Sequence, residues 1–154
     1  MKNIYIVLIL AFVSMTVSVP AQDNSCEKEK NILLGGIGAM GAADVYLAYS
    51  AISVINDNLS QKENYSLFSA NIEIVQNLLN VINNYIDEIN NNANIQVGDS
   101  DFLKKMKELN ISLFEATDLL KKFLLSEAPS DKKIFQDKHS SVKKEIEVLF
   151  QEEK

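Results

Sequence analysis

The sequence predicts an all-α protein, an up-down antiparallel four-helix bundle that follows a cleaved signal peptide. Apolar residues recur at helical spacing from Glu27 to the end of the chain, whereas no pattern of period two persists beyond a few residues. The connections between the periodic segments are short or moderate, which favours antiparallel neighbours. A three-helix bundle with a loosely attached fourth helix is the structural alternative.

The first 21 residues have the features of a secretory signal peptide. Lys2 precedes an apolar run at residues 4–13, and a small residue ends the segment at Ala21. We therefore expect cleavage between Ala21 and Gln22, export to the periplasm or the medium, and one helical-bundle domain over residues 22–154.

The single cysteine, Cys26, leaves two readings open. It lies close enough to the expected new N-terminus to suggest a lipid anchor, but the polar residues 23–25 before it are unlike a lipidation signal. One cysteine cannot form an intramolecular disulfide, so apolar burial must hold the fold together.

The charge balance disfavours two kinds of anionic partner, nucleic acids and anionic membranes. After removal of the leader the chain keeps 14 lysines and 21 acidic residues, a net charge of −7, and it contains no arginine. Residues 22–100 carry the whole excess of negative charge, while residues 101–154 are balanced. Nucleic acids and anionic membranes both require clustered positive charge, so neither is an expected partner.

The first helix of the bundle is predicted at about residues 27–58. Between residues 32 and 55 it contains one charged residue, Asp44, so we expect it to be the most buried element. A glycine inside a helix costs about 0.5–1 kcal/mol relative to alanine, so its glycines require compensating close packing or a bend. Its predicted core seam comprises Leu34, Gly38, Gly41, Val45, Ala48, Ile52 and Ile55.

Two functional readings compete with close packing in this glycine-rich segment. Residues 36–41 match G-x-G-x-x-G, but a dinucleotide fingerprint requires a βαβ unit, and no following strands are predicted. Residues 32–55 are also long enough to cross a bilayer, with Gly35, Ala39 and Ala43 forming a stripe of small residues. Asp44 near the middle makes lipid burial costly, so we favour a buried core helix and keep membrane association as the alternative.

Three further helices follow from apolar seams at spacings of three and four residues. The second seam comprises Phe68, Ile72, Val75, Leu79, Ile82, Ile86 and Ile89. The third comprises Phe102, Met106, Leu109, Leu113, Ala116, Leu120 and Phe123. The fourth comprises Phe135, His139, Val142, Ile146 and Leu149.

The predicted connectors are residues 59–64, 91–100 and 128–130. Gly98 is expected to end one element and Ser100 to cap the next. Pro129 is expected to end the third helix, with a serine or aspartate capping the fourth.

No catalytic residue, cofactor site or metal site is predicted. One histidine and one cysteine cannot form a closed zinc site, and Gln136 stands where a di-iron Glu-x-x-His motif would need an acid. Asp44 and His139 remain as weak functional candidates, because each is a polar residue on an apolar face. An enzyme built on them would need the two side chains to meet in space.

The asparagines give a weak signal. Sequons occur at Asn58, Asn64 and Asn110, which could carry glycans in a eukaryotic secretory pathway. The asparagine-rich second helix is most simply a neutral, solvated surface.

These observations favour an exported, non-enzymatic binding or interaction module for a protein or a small apolar ligand. An apolar pocket lined by Phe68, Phe102 or Tyr46 would indicate ligand carriage, and a solid core would indicate a protein partner. The alternative is a protein that docks on or inserts into a membrane through residues 32–55. Apolar residues flanking the second seam, such as Ile74, Leu78 and Val81, leave room for a homodimer.

Overall fold

A computed structural model of the chain describes residues 25–92 and 97–151. The predicted signal peptide and its cleavage point between Ala21 and Gln22 lie outside the described residues. The chain divides into two compact units, residues 1–33 and 34–154. In the first unit the described residues, 25–33, are helical. All of the packing described below is within the second unit.

The fold is an all-α four-helix bundle, as predicted. Its helices are α1 (Ser25–Asp57), α2 (Tyr65–Asn92), α3 (Val97–Ser126) and α4 (Pro129–Gln151), with a short 3₁₀ turn (Lys62–Asn64) between α1 and α2. No strand is present in the part of the chain that the structure describes.

The predicted seams form the core. In α2, six of the seven seam residues are buried, and Ile89 packs against the core at its edge. In α3, the predicted seam residue Phe102 is only partly buried, and the next residue, Leu103, is buried. In α4, Phe135 and Val142 have no exposed surface. The period of 3.6 residues therefore identified the buried face of each of these helices.

The prediction that α1 is the most buried helix is wrong. Its seam residues Val45, Ala48 and Ile52 are buried, but Met40 and Val54 remain 60% and 62% exposed. The most extensively buried helix in the described chain is α3. The reason is geometric, because α1 turns only its seam inward, whereas α3 also buries residues beside its seam, such as Asn110, Thr117 and Leu124.

The glycines of α1 do not break the helix, and two of them provide close packing. A Cβ atom added at Gly38 would lie 3.2 Å from Cε1 of Phe102, and one added at Gly41 would lie 1.9 Å from Cε of Met106. Gly35 and Gly36 have open space around them. The side chains that fill the space above Gly38 and Gly41 come from α3, which compensates for the low helix propensity of these glycines.

The connections and caps differ from the predicted ones. Ser100 lies inside α3, and Ser130 and Asp131 lie inside α4, so none of these residues precedes its helix as a cap. Helix α3 already begins at Val97, so the predicted stop at Gly98 is wrong; the N–H groups of the first turn have no intrahelical partner, and a glycine costs less there. Pro129 begins α4 instead of ending α3, as expected for a residue that lacks an N–H donor. Glu127, with φ 51°, provides the left-handed residue after α3 and donates its N–H to the carbonyl of Phe123 at 2.8 Å.

Polar side chains fix the pairing of α2 with α3. The amide nitrogen of Gln76 donates to Thr117 Oγ1 at 2.9 Å and to Asp118 Oδ1 at 2.6 Å. Further along, the amide of the fully buried Asn110 donates to Asn83 Oδ1 at 3.3 Å. A shift of one helical turn would break these bonds and leave buried polar groups unpaired, so they select one register.

Candidate functional site

His139 lies at the contact between α4 and α1, where the sequence placed it on an apolar face. Its ring stacks on Tyr49 with centroids 4.8 Å apart and planes 8° apart, and it meets Phe135 at 5.6 Å. Its Nε2 atom is 2.9 Å from Ser53 Oγ. The side chain is half-buried, so one residue of α4 joins two successive turns of α1.

The hydrogen bonds define the role of each atom in this cluster. Ser53 Oγ is also 2.9 Å from the carbonyl oxygen of Tyr49, and its single proton is donated to that carbonyl. The serine oxygen then accepts from Nε2–H, which both the neutral Nε2–H tautomer and the protonated ring of His139 carry. Burial lowers the pKa of His139; the carboxylate of Asp57 opposes this shift and the charge of Lys143 adds to it.

A serine beside a histidine suggests a nucleophile and its base, but this geometry does not supply that chemistry. A base would have to accept the serine proton at Nε2, whereas the carbonyl oxygen of Tyr49 accepts that proton here. Ser53 also lies inside α1, where the neighbouring N–H groups are engaged in helical hydrogen bonds and cannot stabilise an oxyanion. The cluster is therefore best described as a clamp that holds α1 against α4.

Asp44 and His139 do not meet in the structure. Asp44 precedes Ser53 by nine residues on α1, which is about 13 Å along the helix axis and half a turn around it. Within the described chain the Asp44 carboxylate has no hydrogen bond or ion pair, and partial burial raises its pKa. The two sequence candidates therefore stand as separate residues.

The geometry also bears on ligand carriage. Tyr46 is 59% exposed, whereas Phe68 belongs to the core, so the three aromatic residues proposed to line a pocket do not surround a common space. The described residues form an open groove of about 400 Å³ between α3 and α4, which includes Lys105, Glu108 and Lys144 in its walls. Its charged rim is unlike an enclosed apolar site. Among the described residues, no cluster of three metal-ligating side chains occurs.

The most distinctive feature of the surface is an apolar stripe on each of the first two helices. Each stripe residue directly precedes a core residue, as Leu47 precedes Ala48 and Ile74 precedes Val75. At about 100° per residue, this offset turns the stripe outward, beside the buried seam. We call the two stripes together the α1/α2 face; its members, each at least half exposed, are Met40, Leu47, Val54, Leu67, Ile74, Val81 and Tyr85.

Contacts made by the other flanks show which side of each helix is covered. Tyr49 and Ser53 turn one flank of α1 towards α4. Gln76, with Glu73, turns one flank of α2 towards α3. Ala51 and Leu78, both half-buried against the core, lie on the opposite flanks, and the stripes lie on these same sides of α1 and α2.

The α1/α2 face is almost free of charge. Between Met40 and Val54 the only charged residue is Asp44, and between Leu67 and Tyr85 it is Glu73. Glu73 pairs with Lys121 of α3 at 3.0 Å and so points away from the face. No lysine occurs between Lys62 and Lys104. Asp44 lies four residues after Met40 and three before Leu47, so its unpaired carboxylate is on the same side of α1 as the stripe. The face is therefore apolar with a single carboxylate beside it.

Part of α1 meets the length and composition requirements for a membrane span. The segment is Gly38–Asp57, with a mean hydropathy of 1.3 and 28% of its residues buried. Its buried residues, Val45, Ala48 and Ile52, belong to the bundle core. Crossing a membrane would therefore require α1 to leave the other helices, whereas the outer stripe is available without any rearrangement.

The asparagines of the three sequons differ in how far their side chains are buried. Asn110 has no exposed surface, so its side chain cannot carry a glycan in the folded protein. Asn58 and Asn64 are half-buried at the connection between α1 and α2, and their side-chain nitrogens donate hydrogen bonds to neighbouring residues.

Sequence reasoning missed the partners of His139 and five of the seven residues of the α1/α2 face. Ser53 and Tyr49 could not be predicted as partners of His139. The periodicity of α1 and that of α4 do not determine which residues of the two helices face each other. Ile74, Leu78 and Val81 were recognised as spare apolar residues, but Met40, Leu47 and Val54 were hidden in a uniformly apolar helix. The spacing of seven residues between these last three was the signal that could have identified them.

No family model matches the chain, and no curated protein and no solved structure matches it.

Proposed function

We propose that this protein is an exported, non-enzymatic interaction module that binds a protein partner through the α1/α2 face. The observation that carries the proposal is the face itself, with seven apolar side chains at least half exposed on two consecutive helices. Exposed apolar residues are normal when scattered, but a row of them repeated at heptad spacing along one side of a helix is typical of an interaction surface.

The chemistry of the surroundings favours a protein over a lipid surface. Binding to anionic lipid depends on basic residues beside the apolar surface, and none occurs between Lys62 and Lys104. The polar residues around the stripes are asparagines and serines such as Asn71, Asn77 and Ser50, which suit the rim of a protein interface. Export agrees with the leader-like first 21 residues.

Site-specific photo-crosslinking in the cells that naturally make the protein tests this proposal. A photoreactive residue replaces Ile74 on the face or, as a control, Val148 on α4, which is 55% exposed. We expect a protein adduct at position 74, identified by mass spectrometry as one partner, that is absent at position 148 and is lost when Leu47→Glu is added.

Two outcomes would overturn the proposal. Equal labelling at both positions would mean that the adducts do not arise from binding at the α1/α2 face. Adducts to lipid at position 74 without a protein adduct, together with flotation of the purified protein on neutral phosphatidylcholine vesicles, would establish membrane association instead.

A further inference from the structure

Helix α1 is attached to the bundle differently from the other helices. Cα atoms of α2 and α3, and of α3 and α4, repeatedly approach within 8 Å, whereas the described residues of α1 meet the other helices mainly through side chains. Polar contacts also join α2 to α3 and α3 to α4 at several levels. Between residues 38 and 57, the only hydrogen bond or ion pair to another helix joins Ser53 to His139. The polar attachment of this part of α1 therefore depends on one histidine.

The surroundings of His139 suit its neutral form. Its half-buried ring lies against Phe135 and against Tyr49, which is itself a titratable side chain. Nε2–H donates to Ser53 in both protonation states, but protonation adds a second N–H at Nδ1. Within the described chain Nδ1 has no hydrogen-bond partner, so the protein offers no acceptor for that hydrogen. A positive charge would therefore enter a partly desolvated, largely aromatic site without a direct partner.

The charges around the ring come from α1 and from α4 itself. Asp57 of α1 favours the protonated ring, and Lys143, one turn further along α4, disfavours it. Lys138, which precedes His139, is paired with Glu115 of α3 at 2.6 Å. Among the described residues, α2 and α3 contribute no charge that shifts the pKa of His139. Partial burial outweighs the attraction of Asp57 and lowers this pKa.

We propose that the clamp of His139, Tyr49 and Ser53 is an acid-sensitive latch, which opens α1 from α4 in a mildly acidic medium while α2, α3 and α4 stay packed together. In the open form the imidazole is in water and binds a proton more tightly than in the closed form, so each proton taken up favours opening. The latch is a property of the fold and holds whichever partner the protein binds.

The connection after α1 provides the hinge for this movement. Leu59 is buried, and Tyr65 Oη donates to its carbonyl oxygen at 2.9 Å, so the connection stays fixed on α2 when α1 moves. Opening would uncover the inner seam of α1, in which Val45 and Ile52 have no exposed surface in the closed form. The latch therefore links the acidity of the medium to the exposure of apolar core residues.

Native-state hydrogen exchange of the full chain tests the latch at about pH 7.5 and about pH 5.5, on either side of the ordinary histidine pKa. After correction for the intrinsic exchange rate at each pH, the protection of α1 amides should fall several-fold relative to that of α3 amides in acid. One proton limits this fall to about tenfold per pH unit. His139→Phe keeps an aromatic ring but cannot titrate, so it should abolish the relative fall. Equal loss of protection in α1 and α3, or a relative fall that persists in His139→Phe, would overturn the inference.

Two exposed charges test the sign of the effect without altering the clamp. Asp57→Asn removes the charge that favours the protonated ring, so it should enlarge the fall in α1 protection between the two pH values. Lys143→Gln removes the opposing charge and should reduce the fall. Lys144→Gln is the matched control, because Lys144 is the next exposed lysine of α4 and lines the groove towards α3; it should leave the fall unchanged. Effects of the opposite sign at Asp57 and Lys143, or an equal effect at Lys144, would contradict a latch that works through His139.

Discussion

Gly41 and Gly36 offer a sharp test of how α1 packs on α3. Replacing either glycine by alanine gains about 0.5–1 kcal/mol of helix propensity. At Gly36 the new methyl group meets open space, so the full gain is expected. At Gly41 it would lie 1.9 Å from Cε of Met106, a side chain that is only 1% exposed.

The sign at Gly41 depends on whether Met106 can move. Overfilling a packed core costs about 1–3 kcal/mol, and a flexible methionine reduces that cost without removing it. We therefore expect Gly36→Ala to stabilise the protein and Gly41→Ala to leave it unchanged or destabilise it by up to about 2 kcal/mol. Urea unfolding followed by circular dichroism measures both values on the same scale.

A double-mutant cycle isolates the contact. Met106→Ala alone should cost about 2–5 kcal/mol, as for other buried large side chains, and Gly41→Ala should become stabilising in that background because its obstacle is gone. If Gly41→Ala and Gly36→Ala stabilise the wild type equally, α1 does not lie against α3 at this level and the packing described here is wrong.

Four further predictions concern single side chains. Burial lowers the pKa of His139, so on acidification the unfolded chain binds the proton before the folded chain does. The free energy of unfolding should therefore be highest above about pH 6.5 and fall as the pH drops below that value. His139→Phe should flatten this pH dependence, as measured by urea unfolding at several pH values. Burial raises the pKa of Asp44, so its ionised form opposes folding above about pH 4; Asp44→Asn should raise the unfolding midpoint at pH 7, with an advantage that shrinks in acid. Glu127→Gly should relieve about 1 kcal/mol of left-handed backbone strain, partly offset by the greater conformational freedom of glycine in the unfolded chain. Lys62→Ala removes only the exposed ion pair with Glu127, so it should change the thermal stability little.

The architecture could be predicted because each of α2, α3 and α4 has one apolar seam facing inward. In α2 the spacing from Phe68 to Ile86 identified every buried residue of the seam. Local rules were less reliable at the helix ends. Gly98 lies inside α3 and Pro129 begins α4, since the first turn of a helix tolerates residues that interrupt its interior.

The site could be predicted only in part, because pairing between helices is a property of three dimensions. The sequence placed His139 on the apolar face of α4, but Ser53 and Tyr49 became its partners through the angle at which α1 and α4 pack. In α1 the outer stripe could not be separated from the core seam by composition. Both are apolar, and only the positions of the neighbouring helices decide which is covered.

The central claim is that one apolar seam holds α1 in the bundle while a second seam on the same helix stays available for binding. Native-state hydrogen exchange tests it directly, because exchange rates report whether a helix opens with the core or separately. The amides from Val45 to Ile55 should be protected as strongly as those from Leu109 to Leu120. Exchange of the α1 amides that is faster by orders of magnitude would show a detachable helix, and the α1/α2 face would then not exist as a fixed surface.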